Sequence, residues 1–317
     1  MAVFAAMAML CASCGYDRHK DIVCPSQVMR TVTVVFNWDH HPDADPEGMT
    51  LYFFPRSSDG RIWRFDIAGR EGGTIEIPAG SYRLLAFNND SRPIEFCNTT
   101  SYTDFSATTS LLTGYPSELH AMKMPEPLYA ATVPDLDITL CGVRYNPGNG
   151  QPVKECGKSI VRCSPEPRFC RYNIIVEDVE NISRVTSASG LLCGMAAEVS
   201  LAGGQLGDPP SAIPFRLSHP SGNSLTSSLC AFGSLGQKHT LILDATLDNG
   251  TRLQASHDVT DQILNSPDPR NVTIVVRGLK VPPPDKPVGG DDIIDVGVEG
   301  WTVIIVDISS DLRCLIR

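Results

Sequence analysis

Between residues 31 and 90, apolar and polar positions alternate with a period of two in a series of short runs. Val32, Val34, Phe36 and Trp38 fall on one side of such a run, and Thr31, Thr33, Val35 and Asn37 on the other. That spacing predicts a strand with one buried face. LYFF at 51–54 predicts a second strand and RIWRFDI at 61–67 a third, with Asp59-Gly60 as a two-residue hairpin signal between them. In IEIPAGSYRLLAFNND (75–90), Ile75 and Ile77 alternate with polar neighbours. Pro78 removes a ladder donor, and Gly80 tolerates backbone angles that other residues avoid, so the pairing breaks there. Beyond that corner Tyr82, Leu84 and Ala86 point one way and Arg83, Leu85 and Phe87 the other. Asn88-Asn89-Asp90 ends the run in a loop. Closely spaced strands joined by tight turns predict an antiparallel β-sandwich.

Residues 91–165 alternate less regularly and hold many Ser, Thr and Pro. They contain one short helical candidate over 116–122, a strand over 138–143 and a hairpin candidate at Asn149-Gly150. The prolines of CSPEP at 163–167 read as a stiff connection, giving a first domain over 29–165 and a second over 168–281. In the second domain the runs 171–178, 213–217 and 271–279 predict strands, and 239–260 a hairpin around Asp248-Asn249-Gly250. The stretch SGLLCGMAAEVSL at 189–201 fits strand and helix equally. PPPDKPVGG at 282–290 is a linker, extended in its first half and loose in its second.

Past the linker, the tail over 291–317 contains VGVEGWTVIIVDI, a long apolar β segment at 296–308. Trp301, Val303 and Ile305 lie on one face of it, and Thr302, Ile304 and Val306 on the other. A strand with two apolar faces must be paired and covered. It can fold back on its own domain or pair with another molecule.

Composition narrows the function classes. The 317 residues are 42% hydrophobic and 20% charged, a globular balance suited to two domains. A net charge of −10 and no Lys- or Arg-rich block argue against a nucleic-acid partner. The N-terminal run MAVFAAMAMLCASC is apolar, uncharged and ends in small residues before polar sequence, the shape of a secretory signal over 1–14. Ala12-Ser13-Cys14 matches the small-small-Cys end of a bacterial lipobox, with Cys11 where Leu is usual. Cys14 is therefore the expected lipid attachment site, followed by a polar linker over 15–28, with an ordinary cleaved signal as the alternative. A multiply acylated, palmitate-bearing cysteine would anchor stably. Nine of the eleven cysteines lie beyond the signal, with no C-x-x-C among them, which points to free or partly paired thiols and not to zinc.

VVFNWDHHPDADPEGMTLYFFP (34–55), FDIAGREGGTIEIPAGSYRLLAFNND (65–90) and DVTDQILNSPDPRNVTIVVRGL (258–279), followed by the Gly-Gly-linked tail, together resemble one group. It is the family of fimbrillin-related Bacteroides-type lipoproteins with a domain of unknown function, related to the major fimbrillins and the short-fimbria anchor proteins. The resemblance implies two tandem transthyretin-like antiparallel β-sandwiches with a C-terminal tail strand. It also implies an outer-membrane lipoprotein at the cell surface, anchored through Cys14. By analogy its partners would be other fimbrial subunits, or a second copy, joined by strand exchange. Trp301, Val303 and Ile305 are the strand-complementation candidates.

Sites for chemistry are weak by comparison. Asp39-His40-His41 with Asp43 and Asp45 offers metal-ligand types, yet in a loop between strands Asp and Pro suit turn geometry. Asp291, Asp292 and Asp295 lack a twelve-residue calcium loop. No G-x-S-x-G elbow frames a nucleophile, and His219, His239 and His257 read as solvated. Trp63 and Tyr52 offer stacking faces for a glycan, but Trp63 alternates with Phe65 and Ile67 as a core position does. The sequence therefore predicts a non-enzymatic fimbrial or fimbria-like subunit without catalytic residues, metal or cofactor. The alternative is a non-polymerising surface lipoprotein that binds a glycan or host protein.

Overall fold

A computed structural model describes residues 28–146, 153–157, 159–219, 222–236 and 238–283, together with the backbone of a strand at 301–306. Cys14, the Asn149-Gly150 hairpin candidate and Asp291, Asp292 and Asp295 lie outside the described residues. The first half supplies β1 (Met29–Phe36), β2 (Gly48–Pro55), β3 (Trp63–Ala68), β4 (Gly72–Pro78), β5 (Gly80–Asn88), β6 (Ile94–Cys97), β7 (Ser106–Thr109), β8 (Tyr129–Thr139), β9 (Gly142–Asn146), β10 (Val153–Cys156) and β11 (Ile160–Cys163). The second supplies β12 (Glu166–Pro167), β13 (Cys170–Glu177), β14 (Val185–Ser200), β15 (Leu206–Leu217), β16 (Leu225–Ala231), β17 (Thr240–Leu247), β18 (Arg252–Asp258), β19 (Asn271–Arg277) and β20 (Trp301–Val306). A five-residue helix, α1 (Thr260–Leu264), is the one α-helix among the described residues. The protein is all-β.

Each half pairs a small sheet with a large one. In the first, the order β11-β1-β4 faces β10-β9-β8-β5-β2-β3. Val32, Val34 and Phe36 from the small sheet pack against Leu51, Phe53 and Leu84 from the large one, all buried. The corner at Pro78-Ala79-Gly80 is where the chain leaves one sheet for the other, β4 pairing with β1 and β5 with β2 and β8. In the second half, β16-β13-β19 faces a large sheet ordered β20-β18-β17-β14-β7-β6, with β15 on β14. Tyr172, Ile174 and Val176 of β13 meet Leu241, Leu243 and Leu253 there in one buried cluster.

Several local expectations change in detail. The segment at 189–201 is strand, the second part of the sixteen-residue β14. ITLCGV at 138–143 spans a β8–β9 hairpin, not one strand, because the chain turns at Leu140-Cys141. Asp59-Gly60 lies in a longer connection, since the last β2–β3 pair is Phe53 with Trp63. The helical candidate shrinks to a 3₁₀ turn at Ser117–Leu119.

Residues 94–109 cross between the halves. β6 and β7 pair with one another, and β7 then pairs with β14 through Glu198–Thr108, Val199–Ala107 and Ser200–Ser106. A third buried cluster forms where they sit, joining Phe54, Leu85 and Phe87 from the outer face of the first large sheet to Phe105, Val199 and Phe232. Both faces of β5 are therefore buried, which is why it carries apolar residues on both sides of its alternation.

β14 can serve both halves because one of its edges changes partner midway. That edge takes β17 as far as Leu192 and β7 from Glu198. Between them Gly194 adopts φ +85, and a Cβ there would lie 2.6 Å from His239 Nδ1, so only glycine fits without displacement. His239, read from sequence as solvated, is fully buried in this gap. Its Nδ1–H donates to the Cys193 carbonyl at 3.1 Å, and Nε2 accepts from the Ser234 hydroxyl at 2.7 Å. The imidazole thus replaces a missing ladder partner.

Burial lowers the His239 pKa, outweighing the opposite pull of Asp258 and of the Cys193 carbonyl, so the ring is neutral in the fold. The unfolded chain binds this proton below about pH 6.5, before the native state does. The stabilisation is complete above that pH and is lost as the pH falls toward the lowered native value. Urea melts should show the wild type losing more stability from about pH 7.5 to 5.5 than His239→Gln does. Equal losses in the two proteins would show that this ring does not set the acid sensitivity.

Candidate functional site

The candidate site is the edge of the second large sheet, where β20 lies antiparallel on β18. The register sets Trp301 opposite His257, Val303 opposite Ala255 and Ile305 opposite Leu253. Ala255 and Leu253 are buried core residues. The three sequence candidates therefore share one row of register positions, against the inward-facing row of β18. The sequence left open whether the tail pairs within its own chain, and here it does.

β18 is held firmly at its hairpin. The β17–β18 hairpin turns at Asp248-Asn249-Gly250, where Gly250 has φ +82 and donates its N–H to the Leu247 carbonyl at 3.0 Å. Asn249 Oδ1 accepts the Thr251 N–H at 3.1 Å, an Asx turn that fixes the tip. Arg184, 6% exposed, donates from Nε and Nη2 to Asp248 Oδ1 at 3.1 and 2.8 Å, and from Nη1 to the Pro282 carbonyl at 2.5 Å. Hydrogen bonding from this guanidinium lowers the Asp248 pKa. Asn181 Nδ2 donates to the Val281 carbonyl at 2.7 Å. The chain leaving β19 is therefore clamped at Val281-Pro282 beside the hairpin that receives β20. Sequence reading missed Arg184 because its partners lie 64 and 98 residues away.

Other sequence candidates fall outside this edge. Asp39 to Asp45 form successive turns, with the His41 N–H on the Trp38 carbonyl and the Ala44 N–H on the His41 carbonyl. The His41 ring reaches Glu166 at 3.3 Å. Among the described residues, no group of three or more His, Cys, Asp or Glu is placed to hold a metal ion. Cys97, Cys141, Cys163, Cys170, Cys193 and Cys230 carry free thiols. Burial pushes the Cys163 thiol up to about 12, which removes thiolate chemistry at neutral pH. Tyr52 is spent in the seam between the halves, its ring 5.1 Å from Phe105. Trp63 packs against the first core with Phe65 and Ile67. No helix among the described residues is long and apolar enough to cross a membrane.

Known proteins share this architecture. A candidate adhesin from Bacteroides ovatus superposes with a TM-score of 0.63 at 21% identity, covering 89% of this chain and all of that one. The fimbrial anchor protein Mfa2 of Porphyromonas gingivalis gives a TM-score of 0.50 at 12% identity over 87% of this chain and 95% of that one. At such identities the likeness concerns the fold. A candidate fimbrium anchoring subunit, Fim4B, of Bacteroides ovatus is 30% identical over 110 residues, 34% of this chain and 32% of that protein's length. Residues 13–216, well over half of the chain, match the family described as "Domain of unknown function (DUF5119)". The chain thus belongs to the DUF5119 family.

Proposed function

We propose that this protein is a cell-surface, fimbria-associated subunit of anchor or accessory type. It would be lipid-anchored in the outer membrane through Cys14 and joined to its neighbours by β-strand complementation. The observation that carries the reading is β20 itself, laid on the edge of β18 after the chain has been clamped at Pro282. A strand reached through a long connection can be supplied from its own chain or from another in the same register. Backbone hydrogen bonds would give affinity, and alternate side chains such as Trp301, Val303 and Ile305 would set specificity. The fimbrial names of Fim4B and Mfa2 support the setting, and neither name denotes an enzyme.

The test is removal and return of the strand. A chain lacking residues 291–317 should melt lower than the full chain and should bind a synthetic 296–308 peptide that restores the melt. The same peptide carrying Val303→Asp and Ile305→Asp should restore nothing. Unchanged melting and an unchanged oligomer distribution after truncation would sink the proposal. A second reading, a surface lipoprotein that binds a glycan without polymerising, draws on a cavity on the outer face of the same sheet.

A further inference from the structure

On the outer face of the second large sheet, a cavity of about 260 Å³ lies beneath the excursion that joins β7 to β8. The excursion is fixed in place. The Leu112 N–H donates to the Ala121 carbonyl at 2.8 Å, the Lys123 N–H to the Ser110 carbonyl at 3.0 Å, and the Met122 N–H to the Ala212 carbonyl of β15 at 2.9 Å. It carries Tyr115, 39% exposed, with Pro116 and Leu119 as the apolar roof. Leu191 of β14 and Ile242 of β17, register partners on the sheet's outer face, form an apolar floor.

Beside that floor runs a polar row. Ser189 stands opposite Asp244, and Asp244 opposite Gln254, so three neighbouring strands present them together. Arg252 pairs with Asp244 from Nε at 3.4 Å and from Nη2 at 2.5 Å. Ser189 and Gln254 have no side-chain hydrogen-bond partner among the described residues, while Asp244 and Arg252 keep lone pairs and N–H groups beyond their mutual bonds. Donors and acceptors are therefore offered side by side within one small concave space.

The geometry points to a binding site for a single neutral pyranose ring. The ion pair cancels its own charge, so a carboxylate would meet Asp244 and an ammonium would meet Arg252. A sugar hydroxyl both donates and accepts, which suits adjacent acid, guanidinium, amide and hydroxyl groups. The apolar C–H face of the ring suits Tyr115 and the Leu191–Ile242 floor. The volume falls near the lower end for ligand cavities, roughly 300 Å³, which limits the occupant to about one ring. This site goes beyond the assembly reading: it uses outer-face side chains, although Arg252 and Gln254 lie at register positions opposite Val306 and Ile304 of β20.

The experiment titrates the full chain with methyl glucoside, methyl galactoside, methyl mannoside and N-acetylglucosamine, read by saturation-transfer NMR. At least one should bind with a dissociation constant on the order of 1–10 mM. Tyr115→Ala and Gln254→Ala should each weaken it by about tenfold, with unchanged melting temperature. Glucuronate and glucosamine should bind at least tenfold more weakly than the neutral sugar. Absence of binding by all four neutral sugars would overturn the assignment. So would binding unaltered in both variants, or charged sugars bound as well as neutral ones.

Discussion

Phe105→Ala is expected to cost about 3–5 kcal/mol and to split the thermal transition in two. Phe105 is fully buried, and its ring lies 5.1 Å from Tyr52, 5.6 Å from Phe87 and 6.0 Å from Phe96, centroid to centroid. It leads into β7, a strand of the second large sheet, yet its partners Tyr52 and Phe87 stand on the first. Truncation would leave a cavity between two sandwiches that each keep a core of their own. Loss of the shared cluster should therefore reduce both overall stability and the coupling between halves. Calorimetry is the direct measurement. A single sharp transition with a loss below about 1 kcal/mol would mean that the seam does not bind the halves together.

Arg184→Ala should be nearly as damaging, at about 2–4 kcal/mol in urea denaturation. The variant removes three charge-assisted bonds and leaves the Pro282 carbonyl without its guanidinium donor. The loss stays below that of a fully buried pair because the Asp248 side chain is half exposed, and its carboxylate can rehydrate. Lysine should recover little, since a single ammonium cannot bond Asp248 and Pro282 with the fixed fork that arginine provides. Full rescue by Arg184→Lys would refute the clamp.

Much of the fold was legible because alternation reports burial directly. Val32, Val34 and Phe36 proved to be core, and Leu85 and Phe87, apolar on the second face of β5, proved to mark a second buried surface. What could not be read was which strand lies beside which. β7 bonds to β14 across 89 residues, as Thr108 does to the Ala197 carbonyl, and a four-residue strand leaves almost no periodic trace. The parallel pairing of β13 with β19 is equally non-local. His239 misled for a related reason: its burial follows from the partner change in β14, and nothing in its own neighbourhood of sequence records that. For the candidate edge, the tail announced itself through two apolar faces, while Arg184 and the cavity under the β7–β8 excursion emerge only when distant strands are brought together.

The parallel pairs carry a consequence for how such a chain is made. β1 is zipped to β11, and β13 to β19, so the first strand of each small sheet waits for that sheet's last strand. The seam reaches further still, from Phe54 to Phe232. A polypeptide emerging N-terminus first holds its seam aromatics, Phe54 and Phe87, without their later partners until the second half arrives. The first core can close once Cys163 has emerged, while the seam must wait for Phe232.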